Sequence, residues 1–216
     1  MGKFKTKLYT SSVDFLCDRA VFEVFYNDIS PERKAKIDRL SSEKEKRLSL
    51  AAYLLLSRAL SELGIDSFEL GYGEHGKPYL IGQDVFFNLS HSNERVLCAV
   101  SRGEVGCDVE FMREFDLGTA KRFFSNEEYA YLIDLEKEKQ KDAFFRIWTL
   151  KESFIKATGR GFSLPLRNFS VPLNEGASEL YFESKKYYFK EYGLGDGYKC
   201  AACSTLPEFE EEAVFI

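Results

Sequence analysis

The sequence predicts an α+β protein made of two similar α/β halves, 1–112 and 113–216. Three observations predict it. Helical patterns give way to strand-like runs twice along the chain. A short run late in each half looks alike, Arg95-Val-Leu-Cys-Ala-Val-Ser and Tyr198-Lys-Cys-Ala-Ala-Cys-Ser. The 216 residues, 44% hydrophobic and 15% aromatic, can bury a sizeable core.

In chain order, the aromatic Phe22-Glu23-Val24-Phe25-Tyr26 reads as a strand. Ser30-Pro31-Glu32 starts a helix, with a capping serine, proline at the first helical position and an acid in the first turn. Ser42 and Glu45 have capping-box spacing. The helix they open runs apolar from Leu48 to Leu63 and stops at Gly64. Ser67–Leu70 is a short strand. Gly71-Tyr72-Gly73-Glu74-His75-Gly76 matches G-x-G-x-x-G, but Lys77-Pro78 follows where a dinucleotide site needs a helix. It reads as a loop presenting Lys77. Phe86–Ser92 is a strand entering a polar turn, and Arg95–Val100 and Glu104–Glu110 are expected to form a hairpin. Residues 117–158 are helix-rich, and strand-like runs follow at Asn168–Pro172, Glu179–Phe182, Tyr187–Tyr192 and Tyr198–Cys203.

Net charge is −5, and the whole excess falls after residue 106. Nothing in this balance calls for nucleic acid. No apolar run suits a signal peptide or a membrane span, so a cytoplasmic protein is expected. The five cysteines do not form a disulfide framework. Cys200-Ala-Ala-Cys203 would put its two sulfurs on opposite faces of a strand, which is core packing rather than a zinc site.

Trp148, Glu152 and Lys156 lie four apart, on one helix face. Alone, this stripe is as ordinary as a surface ion pair beside a core tryptophan. Asp108 and Glu110 lie two apart on a strand and share a face, while Val105, Cys107 and Val109 share the other. Two carboxylates so placed repel unless a cation intervenes. With Glu152 they make three oxygen donors, a set that suits Mg²⁺ or Mn²⁺. Lys156 would then meet a phosphate, and His91 could donate to it. The basic segment holding Arg33, Lys34, Lys36, Arg39, Lys44, Lys46 and Arg47 is either a solvated helix face or a phosphate-binding patch.

The order Gly76-Lys77-Pro78, Asn88-Leu89-Ser90-His91-Ser92, Gly106-Cys107-Asp108-Val109-Glu110, Arg122-Phe123-Phe124-Ser125-Asn126-Glu127-Glu128-Tyr129 and Trp148-Thr149-Leu150-Lys151-Glu152-Ser153-Phe154-Ile155-Lys156 closely resembles the Sfp-type 4′-phosphopantetheinyl transferases. Gly159-Arg160-Gly161-Phe162-Ser163-Leu164-Pro165-Leu166 looks like the loop that follows. The resemblance runs from Ser30 to about Cys203. It implies two pseudo-twofold halves with coenzyme A between them. It also implies Mg²⁺ on Asp108, Glu110 and Glu152, with Lys156 and His91 on the phosphates. Arg33, Lys36, Ser49, Lys77 and Ser90 match positions that hold the rest of coenzyme A. The implied reaction moves the phosphopantetheine arm to a serine of an apo acyl carrier protein or a peptidyl or aryl carrier domain, and releases adenosine 3′,5′-bisphosphate. Glu152 would take the serine proton, directly or through a water. With the halves fused, a monomer is expected.

Departures are small. Cys107 replaces an aliphatic residue, Arg33 stands where lysine is common, and spacing favours Glu128 over Glu127 as the match to the family's acid. Carrier docking is expected near Leu117–Phe124, unless those phenylalanines are core. The competing readings are a non-catalytic coenzyme A or carrier-binding module, and another Mg²⁺-dependent phosphotransferase or phosphatase.

Overall fold

The computed structural model describes residues 4–174, 178–195 and 197–216. Strand β1 (Lys7–Ser12) is followed by three helices, α1 (Arg19–Asp28), α2 (Pro31–Asp38) and α3 (Glu43–Ser61). Five strands come next: β2 (Leu70–Tyr72), β3 (Pro78–Leu80), β4 (Phe86–Ser92), β5 (Arg95–Ser101) and β6 (Val105–Phe111). Helices α4 (Leu117–Phe123), α5 (Asn126–Asp134) and α6 (Lys137–Thr158) precede β7 (Glu179–Phe182), β8 (Lys185–Glu191), β9 (Tyr198–Ser204) and β10 (Val214–Phe215).

The strands form two four-stranded sheets, β10-β1-β5-β4 and β6-β9-β8-β7, and a β2-β3 hairpin. The repeat covers three strands and a helix: β1, α3, β4, β5 corresponds to β6, α6, β8, β9, and in each set the last strand lies in the middle, while the fourth strands differ, β10 beside β1 and β7 beside β8. β5 and β9, the two look-alike runs, are those central strands. α3 packs its Leu50, Leu55 and Leu56 on the first sheet, and α6 packs Ile147, Leu150 and Phe154 on the second. A third core lies between the sheets, joining Leu97 and Ala99 of β5 to Cys107, Val109, Cys200 and Ala202. The layers therefore run helix, sheet, sheet, helix.

Helix starts follow the sequence. Ser30 accepts from Arg33 N, and Ser42 and Glu45 form a complete capping box. Gly159 caps α6 in the left-handed region at φ 70°.

Several expectations fail, among them the strand at Ser67–Leu70, since β2 begins only at Leu70. Residues 22–26 lie in helix α1, because Asp18 caps Ala20 N and Val21 N and thereby starts a helix. Phe22 and Tyr26 then stack one turn apart at 5.7 Å. β5 and β6 do not form a hairpin: β5 pairs with β1 and β4, and β6 with β9. Residues 105–111, expected to close the first half, thus sit in the second sheet. No strand forms at 168–172, where side chains take the backbone partners a ladder would supply. Lys151 Nζ donates to Phe169 O at 2.7 Å, and Val171 N donates to Glu128 Oε1 at 2.8 Å. Lys151 and Glu128 are themselves a fully buried ion pair at 2.6 Å.

Candidate functional site

α6 lies against β6 at Gly106, where any Cβ would collide with the Ser153 carbonyl and the Ala157 nitrogen. Glycine there lets the helix lie directly on the strand. Two and four residues on, the same face of β6 offers Asp108 and Glu110, while Cys107 and Val109 fill the core between the sheets. One turn of α6 apart, Glu152 and Lys156 meet them.

Lys156 Nζ donates to Asp108 Oδ1 at 2.6 Å and to Ser90 Oγ at 2.9 Å, and Ser90 Oγ donates to the same Oδ1 at 2.9 Å. Asp108 is 3% exposed, and its Oδ2 is buried with no hydrogen-bond partner. Burial, then the Asp108 charge, push Glu152 up to about 6. Burial and then Asp108 also raise Glu110, with a Ser92 hydrogen bond opposing. Burial works against the Lys156 charge, but Asp108, with Cys107 and Glu152 adding to it, holds that pKa above its ordinary value. Lys156 thus pairs with Asp108 rather than with Glu152, and Glu152 is left a carboxylate short of positive charge.

Asp108, Glu110, Glu152, Lys156 and Ser90 are therefore brought together. His91 stands apart from Ser90. Alternation along β4 turns Asn88, Ser90 and Ser92 toward β6, and turns His91 with Phe87 and Leu89 to the α3 side. Although open to solvent, its ring has enough protein around it that lost hydration, and then the Lys156 charge, lower its pKa.

Arg33, Lys36 and Ser49 form a second group. Arg33 Nη2 donates to Ser49 O at 2.5 Å and Ser49 Oγ at 2.8 Å, and its guanidinium lies 5.2 Å from the Tyr53 ring centre. Lys36 lies 5.2 Å from the Tyr72 ring centre. Arg33 and Lys36 border a pocket of about 500 Å³. Ser49 serves here to hold Arg33. Lys77 is not presented to solvent: its Nζ donates to Val105 O at 2.9 Å and Ala157 O at 3.2 Å, tying the β2-β3 hairpin to β6 and the end of α6. Burial lowers its pKa to about 8.

Trp148 stacks on Phe144 of its own helix at 5.8 Å and packs edge-on to Phe123 of α4. Phe124 is core at 3% exposure, while Leu117 is exposed. Arg122 and Phe123 border a pocket of about 500 Å³ with Glu152, Lys156, Leu164 and Leu166. Ser92, which bonds Glu110, was not singled out in the sequence. Its signal is the i, i+2, i+4 run of Asn88, Ser90 and Ser92 along one strand face.

Among the described residues no three His, Cys, Asp or Glu side chains already stand in a metal-ligating arrangement. The donors nonetheless fit a hard divalent cation. One carboxylate oxygen is buried and unpartnered, two neighbouring carboxyls are raised by burial and then by the Asp108 charge, and no thiol or imidazole is among them.

Comparison with known proteins defines the class. A family profile described as the 4′-phosphopantetheinyl transferase superfamily matches residues 104–203. The chain is 35% identical over 217 residues to the 4′-phosphopantetheinyl transferase Sfp of Bacillus subtilis (strain 168), covering 97% of each. It is 36% identical to the transferase gsp of Aneurinibacillus migulanus, over 88% of this chain and 81% of that one. A solved holo-[acyl-carrier-protein] synthase of Thermotoga maritima overlaps 47% of this chain and 61% of its own at 17% identity and TM-score 0.34, too little to bear on the fold. The chain belongs to the 4′-phosphopantetheinyl transferase superfamily, and within it to the Sfp type. It is a transferase of the phosphopantetheine arm, and a purely binding role is not favoured.

Proposed function

We propose that the chain takes the arm from coenzyme A and attaches it to a serine hydroxyl of an apo acyl, peptidyl or aryl carrier protein, with Mg²⁺ or Mn²⁺ held by Asp108, Glu110 and Glu152. The observation that carries this reading is the partnerless buried Asp108 Oδ2 among three carboxylates, with Lys156 alongside. The cation would neutralise the pyrophosphate and the leaving bisphosphate.

The chain's own residues supply positioning and charge. Lys156 and Ser90 present donors beside Asp108, where they can turn to a phosphate oxygen. Glu152, which borders the Phe123 pocket, accepts the serine proton directly or through a water. The serine oxygen forms a bond to the phosphorus bearing the arm, and the bond from that phosphorus to the bridging oxygen breaks. Adenosine 3′,5′-bisphosphate leaves with the electron pair. Arg33 and Lys36 form the cationic end for the remote phosphate. The buried Nε of Arg33, without a hydrogen-bond partner, supports an anion there. His91, its pKa lowered by burial and then by the Lys156 charge, would serve coenzyme A as a hydrogen-bond donor on the α3 side of β4, apart from the carboxylates.

The carrier docks over α4 and the Phe123 pocket, bringing its serine to Glu152. We place the protein in the cytoplasm as a monomer; no helix among the described residues is long and apolar enough to cross a membrane. The test is a panel of apo carriers with coenzyme A and Mg²⁺, read by mass spectrometry. The expected result is a gain of one phosphopantetheine arm, lost in Asp108→Ala. No gain with several carriers while coenzyme A still binds overturns the proposal, as does bisphosphate release without a carrier.

A further inference from the structure

We propose that Ser92 is a positioning residue for Glu110, fixing from the first sheet a metal-ligating carboxylate carried by the second. The inference rests on the metal reading above and extends it to a residue outside the ligand set.

β4 and β6 belong to different sheets, yet they meet side chain to strand along the seam. Asn88 Oδ1 accepts from Cys107 N at 2.9 Å, and Ser90 Oγ donates to Asp108 Oδ1 at 2.9 Å. Ser92 closes this ladder with two bonds. Its Oγ donates to Glu110 Oε2 at 2.9 Å and accepts from Phe111 N at 3.1 Å. A hydroxyl has one proton, and Phe111 N, itself a donor, occupies its acceptor side. The proton therefore has a fixed direction, toward the carboxylate. Glu110 is thereby held by one oxygen, with the other left for a ligand.

Ser92 is itself anchored. It is the last residue of β4, opposite Arg95 in β5, before a two-residue turn in which Asn93 takes φ 53°. That turn is bolted to the second sheet: Asn93 Nδ2 donates to the Tyr198 hydroxyl at 3.3 Å, and Glu94 N at 3.4 Å. Ser92 cannot drift along the seam without breaking those contacts. A hydrogen-bonding group one step behind a metal ligand sets the ligand's direction, and its loss typically weakens metal binding about 10- to 100-fold. The serine's bonds engage only the carboxylate and one edge amide, so its truncation removes orientation and little packing.

The test compares the full chain with Ser92→Ala, Ser92→Thr and Asp108→Asn. Mn²⁺ binding is measured by the electron paramagnetic resonance of the free ion, beside Mg²⁺ activation of transfer, KM for coenzyme A, and melting temperature. Ser92→Ala is expected to weaken Mn²⁺ binding about tenfold or more and to raise the Mg²⁺ needed for half-activation by a similar factor. KM for coenzyme A at saturating Mg²⁺ should stay within about twofold and the melting temperature within a few degrees. Ser92→Thr, which keeps the hydroxyl, should restore binding. Unchanged Mn²⁺ affinity in Ser92→Ala, with affinity lost in Asp108→Asn, overturns the role of Ser92 alone. A loss that threonine does not restore overturns it too, since the hydroxyl is then not the cause. Unchanged affinity in both Ser92→Ala and Asp108→Asn overturns the metal reading itself.

Discussion

At the scale of single residues, the site is a crowd of carboxylates whose charge is incompletely balanced, and Glu152 registers this most clearly. Its folded-state pKa of about 6 lies above the ordinary 4.5, so folding favours its protonated form. That contribution to stability is fully present below about pH 4.5 and is lost as the pH rises through about 6. In the absence of divalent cations the melting temperature is expected to fall across this window, by an amount worth no more than about 2 kcal/mol. Glu152→Gln should flatten that part of the profile, and added Mg²⁺ should reverse the fall at pH 7. Coincident profiles for the parent and Glu152→Gln under chelation would remove Glu152 from the crowd. The acidic residues were legible in the sequence because strand and helix periods place them by arithmetic. The partner of Lys156 was not, because choosing Asp108 over Glu152 depends on how the helix is rotated. Nor was the placement of Lys77, since backbone carbonyls carry no sequence signal.

At the scale of elements, the decisive contact is α6 lying on β6 at Gly106. Gly106→Ala is expected to push the helix off the strand, with an overpacking cost of about 1–3 kcal/mol. Because Glu152 and Lys156 ride on that helix, transfer should fall much further than stability does. A variant that folds and keeps parental kcat/KM would show that the spacing of helix and strand is not what assembles the site. The helices with capping residues were readable, since caps are local chemistry. α1 was misread because β-propensity in an aromatic run loses to a capping aspartate just ahead of it. The absent strand at 168–172 could not be foreseen. Its backbone partners are the buried side chains of Lys151 and Glu128, brought by two separate helices.

At the scale of the whole molecule, the two units are cross-braced rather than merely adjacent. The β4–β6 ladder, Lys77, and the return of β10 to pair with β1 all span them. Unfolding is therefore expected to be a single cooperative transition, with far-UV circular dichroism and tryptophan fluorescence coincident; two separated transitions would contradict it. The twofold repeat was visible in the sequence as two look-alike runs, and these proved to be the central strands. Which sheet β6 joins was not visible, because its partner β9 lies some ninety residues away, and neighbouring strands with a tight turn between them suggest a hairpin.

The alternation of β9 has a consequence for the bench. It sends Cys200 into the core between the sheets and Cys203 under α6, while Cys98 and Cys107 are also buried and Cys17 is exposed. A maleimide should therefore tag the native protein once, at Cys17, and the denatured protein five times. Tag count per molecule becomes a direct meter of opening in a protein with no dye attached: intermediate masses between one and five would mark a half that unlocks alone.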